Sequence, residues 1–194
     1  TANNQQLALY GANWGVQTFT TDANTNRLES IALRLQKTLS PTGNVVMNIY
    51  AVDGANKPTG SILATVNVAT STISSDTYYT FTFSSALTVS PSTKYAIVVS
   101  CPNGDGSNFI RWGFTTAGGY SGGEKGTSHN SGSTWTMDGH DCNFKVNGYW
   151  LGEAGKVYAC KATNIDRYGF DGFATTTANA NENITVQMGG VLGG

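Results

Sequence analysis

The sequence predicts an all-β fold, an antiparallel jelly-roll β-sandwich over residues 1–152 with a small C-terminal β-rich appendage over residues 153–194. Three observations predict it. Apolar residues recur at every second position in short runs, the spacing that puts alternate side chains on one face of a strand. Clusters of Pro, Gly, Asn and Asp separate those runs, as many short strands joined by tight turns require. The composition is that of a turn-rich folded chain: 24 glycines in 194 residues, 12% charged and 11% aromatic, with too many aromatic and β-branched residues for disorder.

The first long segment is also the most ambiguous. Leu28 to Leu39 reads LESIALRLQKTL, rich in helix formers. Leu28, Ile31 and Leu35 fit a helical face, and Ile31, Leu33 and Leu35 fit a strand face. The β pattern around it favours a strand. Pro41-Thr42-Gly43-Asn44 then makes a turn, after which Val45, Met47 and Ile49 alternate with Val46, Asn48 and Tyr50, so that both faces of this strand are partly apolar.

Asp53-Gly54 and Lys57-Pro58-Thr59-Gly60 are turn signals. In the run Ile62–Val68, Leu63 and Val66 flank a change of register. Tyr79, Phe81 and Phe83 alternate with threonines, and Tyr95, Ile97 and Val99 follow Ser90-Pro91-Ser92 in the same rhythm. Pro102-Asn103-Gly104-Asp105-Gly106 is a longer turn. Thr115–Asn130, dense in Gly, Ser and Thr, reads as a long exposed loop, a place where function concentrates. Phe144 and Val146 mark another strand. Gly155–Lys161, Gly169–Phe173 and Asn183–Met188 read as three more, before a glycine-rich tail.

Charge excludes some functions. A net charge of -1 supplies no field for a nucleic-acid backbone, and no apolar run approaches the ~20 residues that span a bilayer. Neither nucleic acid nor membrane insertion is therefore expected. The opening at Thr1 fits removal of a methionine or cleavage of a longer leader equally well. Cys101, Cys142 and Cys160 match no zinc spacing. A disulfide with one free thiol, a link between subunits and buried free thiols all remain open.

Ser128-His129-Asn130-Ser131-Gly132-Ser133-Thr134-Trp135 resembles the Asp-box, S-x-D-x-G-x-T-W, with Asn130 in the Asp place. That motif is structural, and it predicts a hairpin leading into Trp135. Asp138-Gly139-His140-Asp141 gathers two carboxylates and an imidazole, so Asp138 and Asp141 are candidate ligands for a structural Ca2+ ion. The alternative is a plain polar turn. Asp53 and Asp105 sit in turns of the same kind.

Tyr120, Trp112 and Trp135 are candidate sugar-stacking rings, because flat apolar ring faces match pyranose faces. Core burial is the competing expectation for both tryptophans, and Tyr120, amid glycines, is expected to be exposed. Asn183-Ile184-Thr185 matches a glycosylation acceptor. A catalytic apparatus is not legible. His129 and His140 are the only histidines, no G-x-S-x-G elbow occurs, and Glu29, Glu124, Glu153 and Glu182 show no spacing suited to a glycosidase pair. The chain is therefore expected not to be an enzyme, and no cofactor is expected.

An ordered series of segments carries a resemblance. It runs through Gln17-Thr18-Phe19-Thr20, Leu28–Lys37, Pro41-Thr42-Gly43, Val45–Ala51, Lys57-Pro58-Thr59-Gly60 and Leu63-Ala64. It continues with Tyr79–Phe83, Thr93–Val98, Tyr120-Ser121-Gly122-Gly123 and Ser133-Thr134-Trp135. From Gln17 to Tyr149, about two-thirds of the chain, this pattern resembles the choice-of-anchor type jelly-roll module of bacterial surface proteins and phage structural proteins.

Gly155–Ala159, Gly172-Phe173-Ala174 and Ile184–Gln187 resemble a segment of phage head-fibre and related virion proteins. The resemblances imply a non-enzymatic structural protein on the outside of a virion or cell. It would be a bacteriophage capsid decoration or fibre-like protein, or a surface filament subunit, aiding adhesion. A carbohydrate-binding module of a secreted or surface protein is the alternative. The implied partners are further copies of the chain, other virion or surface structural proteins, and glycans. Either Thr1–Leu9 or the C-terminal tail is expected to serve as a donor strand in assembly.

Overall fold

A computed structural model describes residues 5–116, 119–151, 157–159 and 163–164. Their strands, numbered in chain order, form two antiparallel sheets. The eight-stranded sheet holds β1 (Gln5–Leu9), β3 (Arg27–Thr38), β6 (Thr77–Thr88), β8 (Phe109–Thr115), β11 (Asp141–Cys142), β12 (Phe144–Leu151), β13 (Val157–Ala159) and β14 (Thr163–Asn164). The six-stranded sheet runs in the order β10 (Thr136–Met137), β9 (Lys125–Ser128), β2 (Trp14–Thr20), β7 (Lys94–Ser100), β4 (Asn44–Val52) and β5 (Pro58–Ala69). The chain is an all-β sandwich, as its alternation predicts.

The alternating residues meet between the sheets. Val45, Met47 and Ile49 of β4, and Tyr95, Ile97 and Val99 of β7, face Leu28, Ile31, Leu33 and Leu35 of β3, Phe81 and Phe83 of β6, Ile110 and Trp112 of β8, and Phe144 of β12. Each such side chain, fully buried, contributes roughly 1.5–3 kcal/mol. This is the main force holding the layers together.

The ambiguous segment is strand β3, and its geometry explains the ambiguity. It pairs with β6 on one edge, and with β12 and then β8 on the other. On both edges the register shifts beside Glu29. This β-bulge turns Glu29 out to solvent while Leu28 and Ile31 both face the core. A bulge thus produces a three-residue spacing of buried residues inside a strand, which imitates a helical face. The opposing backbone comes close at Gly148, where a Cβ would press on the Arg27 carbonyl oxygen at 2.6 Å.

Two further expectations are revised. Lys125–Ser128, inside the expected loop, is strand β9, with Lys125 and Gly126 buried. Gln5–Leu9 already pairs with Phe114–Ile110 of the same chain, so these residues are taken up in their own sheet instead of standing free as a donor. Val157–Ala159 falls within the expected strand 155–161 and pairs with Leu151–Tyr149, extending the sandwich's own sheet across the expected boundary at 152/153. The expected strands 169–173 and 183–188, the glycosylation acceptor at Asn183 and the tail lie outside the described residues. Among the described residues no helix is long and apolar enough to cross a membrane.

Candidate functional site

The candidate residues gather on one flank of the sandwich, where the chain leaves β8, loops through Tyr120, and returns through β9, β10 and β11. The hairpin predicted from the Asp-box-like motif is present: β9 pairs antiparallel with β10, Thr127 opposite Thr136. Ser128 Oγ accepts hydrogen bonds from the backbone N–H groups of Gly132 (2.9 Å) and Asn130 (3.3 Å), and donates to Asn130 Oδ1 (2.9 Å). Asn130 Oδ1 also accepts from the Thr134 N–H at 2.9 Å. Asn130 therefore fills the structural part of the Asp position, because an amide oxygen accepts the same turn bonds as a carboxylate.

Below this turn, Trp135 packs on Val16, Ala96 and Val98, with Trp14, Tyr50, Val52 and Met137 around it. Val16, Ala96 and Val98 point away from the main core, so this is a second apolar cluster on the outer face of the six-stranded sheet. Trp135 is only 9% exposed. Trp112 lies in the main core at 0% exposure, its Nε1 donating to the Asn143 carbonyl at 3.0 Å. Trp112 offers no face to a ligand, because both sides of its ring are packed.

Tyr120 is also more enclosed than its glycine-rich surroundings suggest. Its hydroxyl accepts from the Thr20 N–H at 2.9 Å, and its ring meets Phe144 edge-on at 5.5 Å. Burial pushes its phenol above the ordinary value. Tyr120 closes one end of the sandwich. It borders a small, shallow cleft floored by Phe19, Leu28, Phe144 and Val146 and edged by Asp22 and Thr25.

The two candidate calcium carboxylates point at protein donors instead of converging. Asp141 is 4% exposed. Its Oδ2 accepts from the N–H groups of Gly119 (2.9 Å) and Tyr120 (3.0 Å), and its Oδ1 accepts from Gln17 Nε2 at 3.3 Å. Asp138 pairs through Oδ2 with Lys125 Nζ, and its Oδ1 accepts from the His140 N–H at 3.1 Å. Among the described residues no three His, Cys, Asp or Glu side chains come together as a metal site. Asp53 and Asp105 cap turns, each carboxylate accepting two backbone N–H bonds that hold it below the usual range.

Two residues of this flank are not singled out by the sequence. Lys125, only 3% exposed, places its ammonium 4.6 Å from the centre of the Phe114 ring while pairing with Asp138. Gln17, fully buried, donates to Asp141 and to the Thr18 carbonyl, and accepts from the Cys142 N–H at 2.7 Å. A signal for Gln17 exists: it stands two residues before Phe19 on one strand face, so alternation turns this amide inward. No comparable signal marks Lys125.

Gly123 sets the closeness of the loop, since a Cβ there would run into the Thr18 carbonyl. Cys101 and Cys142 are buried free thiols, both shifted upward by desolvation, Cys142 the more strongly. Cys160 lies outside the described residues.

Comparisons with protein-family models, with curated proteins and with solved structures find no match to this chain.

Proposed function

We propose that this chain is a non-enzymatic structural protein displayed on the exterior of a virion or a cell, as a phage capsid decoration, a fibre-like protein or a surface filament subunit. The observation that carries this reading is the use made of the most polar flank. Asp141, Gln17, Lys125 and Asp138 bond to backbone and to one another, fastening a loop and a hairpin onto the sandwich. Side chains that could move protons or hold ions serve instead to stiffen a surface. A low charge and a Thr- and Asn-rich exterior suit exposure without nonspecific binding.

The strand order is compatible with a jelly-roll arrangement of the sandwich. β1, β8, β3 and β6 face β2, β7, β4 and β5, with successive strands largely alternating between sheets. The test is immunogold electron microscopy of the producing culture with an antibody to the chain. Label on the outside of particles or cells is expected. Label confined to the soluble fraction would overturn the reading.

A carbohydrate-binding module is the second reading. It is favoured by the outer-face cluster, in which Trp14 and Tyr50 are partly exposed beside Trp135. These rings, and not Trp112 or Tyr120, would be the stacking surface. Glycan-array binding that is lost in Trp14→Ala would support it, and an array with no binder would remove it.

A further inference from the structure

We infer that the side of the sandwich formed by β5 and β6 is a docking edge for a second copy of this chain, joined by antiparallel pairing of β5 with β5 across a two-fold axis. The inference rests on the reading of the chain as an assembling structural protein and names the surface it assembles through.

An edge strand presents a row of unpaired N–H and C=O groups that another extended strand can complete. Natural sheets blunt such edges with charge, proline, bulges or extreme shortness. Shortness protects three of the other ends here: β10 and β14 have two residues each and β13 has three, while β1, at the far end of the eight-stranded sheet, has five. The β5–β6 side differs. Among the described residues β5 pairs only with β4, and β6 only with β3. Their regular ladders run over Ala64–Ala69 and Thr77–Thr82, six residues each.

Between Pro58 and Thr93 the only charged residue is Asp76, and its carboxylate is held by Arg34 at 2.8 Å. Neither ladder contains a proline or a charge. Bulges fall beyond the ladder ends, at 60–63 in β5 and at 83–86 in β6. The β5 bulge presents Ile62 and Leu63, 49% and 44% exposed. Among the described residues only Leu39 joins them as an exposed large hydrophobic.

The edge is self-complementary. Along it Ala64, Val66 and Val68 are half-buried against the core, and Thr65, Asn67 and Ala69 face solvent. Antiparallel pairing about a two-fold near Val66 or Asn67 sets apolar residues opposite apolar ones on the inner face; on the outer face it sets Thr65 opposite Asn67, or Asn67 opposite itself with Thr65 opposite Ala69. It brings no like charges together, which is the usual penalty when one strand meets its own copy. The closed two-fold also limits growth to a pair. Because β5 and β6 lie on the same side, joined by residues 70–76, the same axis brings the two β6 edges side by side.

The test is sedimentation velocity of the full chain from about 1 to about 100 µM. The wild type is expected to form a dimer. Asn67→Lys with Ala69→Lys places like charges across the axis and should raise the dimer dissociation constant about tenfold or more, with unchanged circular dichroism. Asn67→Glu with Ala69→Glu should do the same, and an equal mixture of the two variants should restore the dimer.

A wild type that stays monomeric over this range overturns the inference, as does a folded lysine variant that keeps the wild-type mass. A monomer that still labels particle or cell surfaces overturns the docking edge alone. A dimer found only in the soluble fraction overturns the proposed function alone.

Discussion

The flank around Tyr120 and the opposite β5–β6 side belong to one sandwich and are built on opposite terms. On the Tyr120 flank the backbone is irregular and cannot satisfy itself, so side chains do so. Asp141 takes two loop N–H groups, Gln17 takes the Cys142 N–H, and Ser128 and Asn130 close the hairpin turn. On the β5–β6 side the backbone is a regular ladder, and it needs few polar side chains. What it leaves unpaired, among the described residues, is its outermost edge. Irregular structure therefore costs specific polar residues inside the protein, and regular structure displaces the unsatisfied groups to the surface, where a partner can meet them.

This contrast is sharpened by substitutions on either side. Trp135→Ala should have the largest effect, about 3–4 kcal/mol, because it removes the hairpin's apolar footing on Val16 and Val98. Chemical denaturation measures the loss. Asp141→Ala should cost about 2–4 kcal/mol by leaving the buried Gln17 amide and the part-buried N–H groups of Gly119 and Tyr120 without this acceptor. It should also speed proteolysis between residues 116 and 124, and an uncleaved loop would break the account of this flank.

Gly123→Ala should cost about 1–3 kcal/mol, since the new methyl group must push the loop away from Thr18. Thermal melts resolve that shift. On the other side Asn67→Ala should change stability by less than about 0.5 kcal/mol, because the side chain is exposed and the ladder is made by backbone. A large loss there would erase the contrast.

The smallest effect is one of pH, at the turn between β4 and β5. The folded Asp53 carboxyl titrates below its ordinary value because the Lys57 and Ala55 N–H groups bond to the ionised form. The stability it confers is complete above the unfolded value of about 3.9 and is lost as pH falls through the lowered folded value. A slight fall in melting temperature on acidification should be reduced in Asp53→Asn.

Much of the sandwich is legible in the sequence, because alternation is a local property. Tyr95, Ile97 and Val99 lie in the core as their spacing requires, and so do Val45, Met47 and Ile49. The hairpin before Trp135 is legible for the same reason, since its turn bonds lie within eight consecutive residues. The site is legible only in outline. Asp138 and Asp141 are conspicuous in sequence as a pair, yet their partners, Lys125 and Gln17, come from β9 and β2. Tyr120 reads as exposed among small residues, and its bond to Thr20 across 100 positions encloses it.

The sequence alone determined the class of fold, the positions of most turns and the inner face of each regular strand, since those depend on neighbours two to four residues apart. Tertiary structure alone decided three things. It decided that a bulge at Glu29 carries Leu28 into the core, that Trp135 packs outside the sandwich while Trp112 packs inside it, and that β5 and β6 are, among the described residues, edge strands of the two sheets. Each of these depends on which strand lies alongside another, and pairing joins residues that no local pattern connects.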